Sequence, residues 1–329
     1  MRLCLRRREF IAGLGGAAAW PLAARAQQRD RMRRVGVLLV GDDSPGRAVS
    51  TTLRDELAKL GWAEGRNLRL EVRFGADDAE RIRAYAAELV ELGPDVIVTS
   101  GAAPTRAVQQ QTQTIPIVIA GAGDVFGNGF VKNLAHPEGN TTSISNVFRS
   151  IAGKWVELLK DTVPRLKRVG FIYNLQVSPQ GSYFPEIKEA SRVLGLKATQ
   201  ISFRNGLDLV RGIDAFAAEP DSAVITTPSV SATYVATINT LALQYRLPTL
   251  YGSRPNAIEG GLMSYGPRQG EIMRRVASLV DRILRGAKPG ELPVEYPTRF
   301  DLVVNLKTAK AIGLTIPETF WFRVDEVIE

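Results

Sequence analysis

The sequence predicts an α/β protein made of two doubly wound parallel-sheet lobes. Two observations support this fold class. Short β-branched runs alternate with segments of helical periodicity, which is typical of a parallel sheet covered by helices on both faces. The alternation then starts again near the middle of the chain, so two similar βα halves stand in tandem.

The first half contains four predicted strands separated by three helices. The helices end at glycine or proline, as at Gly61 and at Gly93-Pro94. In order, the elements are strand 35–40, helix 48–60, strand 68–74, helix 79–92, strand 95–100, helix 101–111 and strand 114–120.

The second half repeats this pattern after a strand over 141–146 and a helix over 153–162. Strands 169–173, 198–203, 223–227 and 247–251 alternate with helices 182–194, 206–218 and 231–245. Strand 260–265, helix 269–284, strand 300–304 and a short helix over 307–312 complete the prediction.

Residues 1–26 have the pattern of a cleaved export signal. The basic cluster Arg6–Arg8 precedes a Gly/Ala-rich apolar run, and Ala24-Arg25-Ala26 stands before Gln27. The segment Arg7-Arg8-Glu9-Phe10-Ile11 resembles the twin-arginine signature. The alternative, a membrane anchor, would need about 20 apolar residues, and this run is shorter. We therefore expect export to the periplasm, signal cleavage near Gln27 and a soluble mature protein.

Composition excludes several classes of chemistry. The sole cysteine, Cys4, lies in the predicted signal, and the sole histidine, His136, lies in a turn-rich loop. A disulfide, a thiol nucleophile and a multi-histidine metal site are therefore not expected. The signal contributes half of the formal charge of +8, and the remaining excess forms no nucleic-acid motif. We expect no enzyme activity, no metal, no cofactor and no nucleic-acid partner.

Doubly wound sheets bind ligands at the carboxyl ends of their strands. If the two lobes face each other, a ligand lies in the cleft between them. The predicted polar site residues are Ser44, Ser100, Gly101, Asp124, Asn174, Thr227, Ser229 and Ser253, and the predicted aromatic ones are Phe126, Tyr251 and Tyr265. The alternative for the Ser, Asn and Asp residues is that they cap helices.

Asp124 lies in the segment Gly121-Ala-Gly123-Asp-Val-Phe-Gly127. The glycine spacing is one residue too long for a dinucleotide loop, so a nucleotide site is not predicted. Two interpretations of Asp124 remain open. Its carboxylate either pairs with a ligand ammonium or forms a turn.

Three stretches resemble the ABC-transporter substrate-binding proteins of the TrpX-like group, which includes tryptophan- and phenylalanine-binding members. They are residues 123–140, residues 247–266 and residues 300–317, the last reading Phe-Asp-Leu-Val-Val-Asn-Leu-Lys-Thr-Ala-Lys-Ala-Ile-Gly-Leu-Thr-Ile-Pro. The resemblance implies the type I periplasmic-binding fold, with an N-lobe over 33–143 plus 266–285 and a C-lobe over 144–263 plus 293–329. It also implies a monomer that captures an amino acid or related small organic solute by lobe closure and delivers it to an ABC permease in the inner membrane.

The chain departs from the family pattern near the predicted site. The family commonly has Asp-Pro-Val where this chain has Asp124-Val125-Phe126, and often has Arg at His136 and Gly at Ser143. The first change weakens the assignment of a standard aromatic amino acid as the ligand. Two other functions stay open at this point, an exported enzyme and a ligand-sensing receptor domain of the same fold.

Overall fold

The computed structural model describes residues 32–40, 43–76, 78–145, 151–175, 183–226, 230, 232–268 and 270–329, with side chains throughout except at 43–46 and 232–233. The predicted signal peptide lies outside these ranges. Thr227 and Ser229 also lie outside them, as does the side chain of Ser44.

A five-stranded sheet organises the first part of the described chain, in the order β2–β1–β3–β4–β5. Its elements are β1 (Arg33–Leu39), α1 (Asp43–Lys59), β2 (Leu68–Phe74), α2 (Ala79–Glu91), β3 (Val96–Ser100), α3 (Ala102–Gln111), β4 (Ile117–Ala120) and β5 (Thr141–Ile144). β1 pairs in parallel with β2 and β3, and β3 pairs in parallel with β4. Val35 and Val37 on β1 are fully buried, which explains why this strand is a continuous apolar run in the sequence.

A seven-stranded sheet organises the later part, in the order β12–β11–β10–β9–β8–β6–β7. Its strands are β6 (Arg168–Asn174), β7 (Lys197–Phe203), β8 (Ser222–Thr226), β9 (Thr249–Tyr251), β10 (Met263–Pro267), β11 (Phe300–Asn305) and β12 (Glu326–Ile328). The helices are α4 (Ile151–Thr162), α5 (Phe184–Val193), α6 (Gly206–Ala217), α7 (Ala232–Tyr245), α8 (Arg254–Ile258), α9 (Glu271–Leu284) and α10 (Leu306–Ala311).

Helices cover both faces of this second sheet. One core contains Trp155 of α4 and Phe171 of β6, and the other contains Phe203 of β7 and Tyr251 of β9. Neighbouring strands are parallel except for β11, which runs antiparallel to β10. The sheet is therefore mixed, whereas the sequence predicted parallel strands only. The short elements α8 and β12 were not predicted either.

The described residues form two compact units. The first contains the residues up to Ile119 together with Phe130–Thr142 and Met273–Pro293. The second contains Ala120–Gly129, Ser143–Ile272 and Val294–Glu329. The chain therefore passes between the units more than once, and the segment with Asp124 groups with the second unit. The prediction had included that segment in the N-lobe.

Candidate functional site

The switch point of the first sheet lies between β1 and β3, because β1 is flanked by β2 on one side and β3 on the other. Ser100 ends β3 here, and its carbonyl accepts a hydrogen bond from the backbone of Val40 at 3.2 Å. Gly101 follows with φ +97°, and a Cβ at this position would lie 2.6 Å from Cγ2 of Val40. Only glycine fits this turn without strain.

Gly101 also occupies the N-cap position of α3 and provides no side-chain cap. The first residues of the helix, Ala102 and Ala103, are exposed. The first N–H groups of a helix have no partner within the helix and carry a partial positive charge. The predicted pair Ser100 and Gly101 therefore lies beside a helix N-terminus that suits an anionic group.

The switch point of the second sheet lies between β6 and β8. Asn174 ends β6 and is buried, and Thr226 ends β8. The hydroxyl of Thr226 is also buried and makes no hydrogen bond within the described part of the chain. Sequence reasoning missed this residue because threonine in an apolar strand indicates only β propensity. An unsatisfied buried hydroxyl was the signal that only coordinates could supply.

Asp124 follows β4 in a loop in which Gly123 has φ +74°. Its Oδ1 accepts a hydrogen bond from the backbone N–H of Gly127 at 2.9 Å, so Asp124 does form the turn that was one of its two interpretations. Phe126 in the same loop is 55% exposed.

The phenol of Tyr296 is subject to the negative charge of the Asp124 carboxylate. Partial burial and the nearby Asp124 carboxylate together raise the pKa of the Tyr296 phenol. Tyr296 was not predicted because it is distant in sequence and follows no strand. Within the second unit, the surroundings of the Asp124 carboxylate therefore include a phenol.

Tyr251 and Tyr265, two of the predicted aromatic site residues, pack against other residues of the protein. Tyr251 is fully buried, and its hydroxyl donates to Oδ1 of Asn239 at 2.6 Å. Burial raises the pKa of Tyr251 far above its ordinary value. Tyr251 is therefore a core residue, and its predicted ligand contact is wrong for this structure. Tyr265 is half-buried, and its ring stacks on Phe300 with the centroids 5.7 Å apart.

Ser253 occupies the N-cap position of α8 but its side chain makes no capping hydrogen bond. Helix capping, the alternative for the predicted polar residues, does not account for it. By contrast, Asn205 and Asn305 cap α6 and α10 through their side chains, and neither was predicted in the site. Ser253 stays a predicted site residue.

Three further features of the described residues concern metal binding, the sole histidine and membrane-crossing helices. No group of three His, Cys, Asp or Glu residues there could hold a metal ion. His136 is exposed, and its backbone N–H is part of a turn closed by the side chain of Asn133. Of the described helices, none has the length and apolar character that crossing a membrane requires.

The model of the ABC transporter substrate-binding protein family matches residues 35–328. The chain belongs to this family. It is 20% identical over 258 residues to the tyrosine-binding protein of Clostridioides difficile (strain R20291), a match covering 78% of this chain and 74% of that protein. The predicted family and its solute-binding function are confirmed, and this is a family of binding proteins rather than enzymes.

Solved structures confirm the predicted two-lobed α/β fold of the type I periplasmic-binding class. A conserved domain protein from Vibrio cholerae is 26% identical with a TM-score of 0.80, and the match covers 90% of this chain and 100% of that one. The ABC domain from Streptococcus pneumoniae in complex with L-Trp is 23% identical with a TM-score of 0.81, covering 90% and 99%.

Proposed function

We propose that this binding protein takes up a small organic solute carrying a primary amine, an amino acid or a related compound, for an ABC importer. The observation that carries the proposal is the Asp124 loop. It presents a carboxylate, whose surroundings include the Tyr296 phenol, together with the exposed ring of Phe126. A carboxylate in partly desolvated surroundings favours a cationic partner, and the rings suit the apolar part of the same molecule.

The chemistry of the first unit supports the same class of ligand. The N-terminus of α3 beside Ser100 and Gly101 favours an anionic group. An amino acid carries both an ammonium and a carboxylate, so each of its charged groups has a chemical counterpart in this protein. A neutral sugar would use neither.

The relatives support the amino-acid class. One is named a tyrosine-binding protein, and one solved relative is in complex with L-Trp. Val125-Phe126 stands where the family commonly has Pro-Val, so this loop lacks the proline and carries an additional ring. The proposed ligand is therefore amine-bearing, with a side chain that need not match that of either relative.

The proposal includes export and a membrane partner. The pattern of residues 1–26 supports a twin-arginine signal and a periplasmic location. Membership of the family supports docking on an ABC permease, and the proposed mature protein is a monomer. Replacing Arg7 and Arg8 together by lysine should leave the precursor in the cytoplasm, as cell fractionation would show. Unchanged periplasmic yield would contradict the twin-arginine route without affecting the ligand assignment.

The ligand class is tested by a thermal-shift screen of the mature protein. Amino acids are compared with the same compounds lacking the amine, together with neutral sugars as controls. A ligand present at about a hundred times its dissociation constant stabilises the folded state by about 2.7 kcal/mol. Greater stabilisation by amine-bearing compounds than by their des-amino counterparts supports the proposal, and equal or greater stabilisation by sugars or des-amino compounds would refute it.

A further inference from the structure

A surface cavity of about 320 Å³ lies in the second unit, between edge strand β7 and helix α6. Its lining includes Thr199 and Ser202 from β7, and Gly212, Ala215 and Phe216 from α6. Arg168, the first residue of β6, also lines it. It therefore begins at the strand end opposite to Asn174, away from the carboxyl ends where the proposed solute-binding residues lie.

Arg168 is only 9% exposed, and its guanidinium lies over the ring of Phe216 with Cζ 4.6 Å from the centroid. Nη1 donates to the carbonyl of Phe216 at 3.3 Å and to the hydroxyl of Ser222 at 3.4 Å. Nε is buried and has no acceptor within the described part of the chain. The hydrogen bonds to neutral acceptors are thus long, and one donor is unused.

The positive charge of Arg168 is incompletely compensated. The only carboxylate paired with it among the described residues is Glu219, at 3.3 Å, and the side chain of Glu219 is 61% exposed. Of the described residues that line the cavity, none is acidic. A buried guanidinium normally has a close, bidentate anionic partner, because leaving the charge partly unpaired is costly.

We propose that this cavity is a binding site for a small organic carboxylate. The guanidinium of Arg168 supplies the charge, and the hydroxyl of Thr199, which lies on the same face of the sheet, supplies a further donor. Phe216 and Ala215 give an apolar wall for a short carbon chain. The volume is at the small end of known ligand sites, which fits an acid of a few carbons.

The test uses NMR titration of the mature protein with butyrate, and with butyramide as the neutral compound of matching shape. We expect saturable shifts from butyrate at the backbone of 199–202 and 212–216, and none from butyramide. Arg168→Met should weaken butyrate binding by about tenfold or more, since a charge-assisted hydrogen bond is lost. Arg211→Met, which removes an exposed cation from the same helix outside the cavity, is the control and should bind as the wild type does.

A second variant keeps the proposal testable if Arg168→Met fails to fold. Ala215→Leu retains the charge, adds a good helix former on an exposed helix position and fills the cavity, so it should also abolish the shifts. The assignment is overturned if butyrate gives no saturable shifts, if butyramide binds equally, or if both cavity variants bind normally. Preferential binding of inorganic phosphate would overturn the organic carboxylate in particular.

Discussion

Replacing Asp124 by asparagine separates its turn from its proposed ligand contact in one step. The amide oxygen of Asn can still accept the hydrogen bond that Gly127 donates at 2.9 Å, so the turn is kept while the charge is lost. A hydrogen bond to a charged group is worth about 1.5–3 kcal/mol, against about 0.5–1.5 for a neutral one. The difference of about 1–2 kcal/mol predicts a 5- to 30-fold weaker affinity for an amine-bearing ligand.

Isothermal titration calorimetry measures this change directly. The matched control is the des-amino compound, which should bind the wild type and Asp124→Asn with equal affinity. A second readout needs no ligand. Because the Asp124 carboxylate helps to raise the pKa of Tyr296, the variant should lower that pKa, visible as an earlier phenolate absorbance during alkaline titration. Equal affinity of both proteins for the amine-bearing ligand would remove Asp124 from the site.

Three further substitutions test the local structure. Gly101→Ala places a Cβ 2.6 Å from a neighbouring side chain at φ +97°. Urea denaturation should therefore show a free energy of unfolding lower by about 2 kcal/mol or more. The control Gly206→Ala, with open space around the added Cβ, should change it little. Tyr251→Phe leaves the Asn239 oxygen without its donor and should cost about 1–3 kcal/mol. Burial raises the pKa of Tyr251, so the unfolded state ionises first and the wild type should lose stability above about pH 10; unfolding curves of the Phe variant should lack this component. Ser253→Ala should change stability by less than about 0.5 kcal/mol, because no capping bond is lost, and calorimetry should show weaker binding.

Much of the fold could be predicted from local patterns. β2 was predicted with the bounds that the structure has, and α2 and α6 ended within one residue of their predicted limits. These elements have strong periodicity and clear end signals such as Gly93-Pro94. The antiparallel pairing of β11 with β10 left no local signal, because strand direction depends on which distant strand becomes the neighbour.

The candidate site was less predictable. The structure places Ser100 and Gly101 at the switch point of the first sheet, a position that follows from strand order, and their contact with a ligand stays a prediction. Tyr296 was missed, because its proximity to Asp124 arises from tertiary folding. Tyr251 was misplaced because an aromatic residue at a strand end has the same sequence pattern whether it faces a ligand or the core.

Native mass spectrometry of the protein purified from its native cells under mild conditions tests the proposed ligand class most directly. We expect a bound molecule whose mass and fragmentation identify a small organic compound with a primary amine. Asp124→Asn, purified in the same way, should carry less of that compound. A bound sugar or another solute without an amine, retained equally by both proteins, would contradict the proposed ligand class.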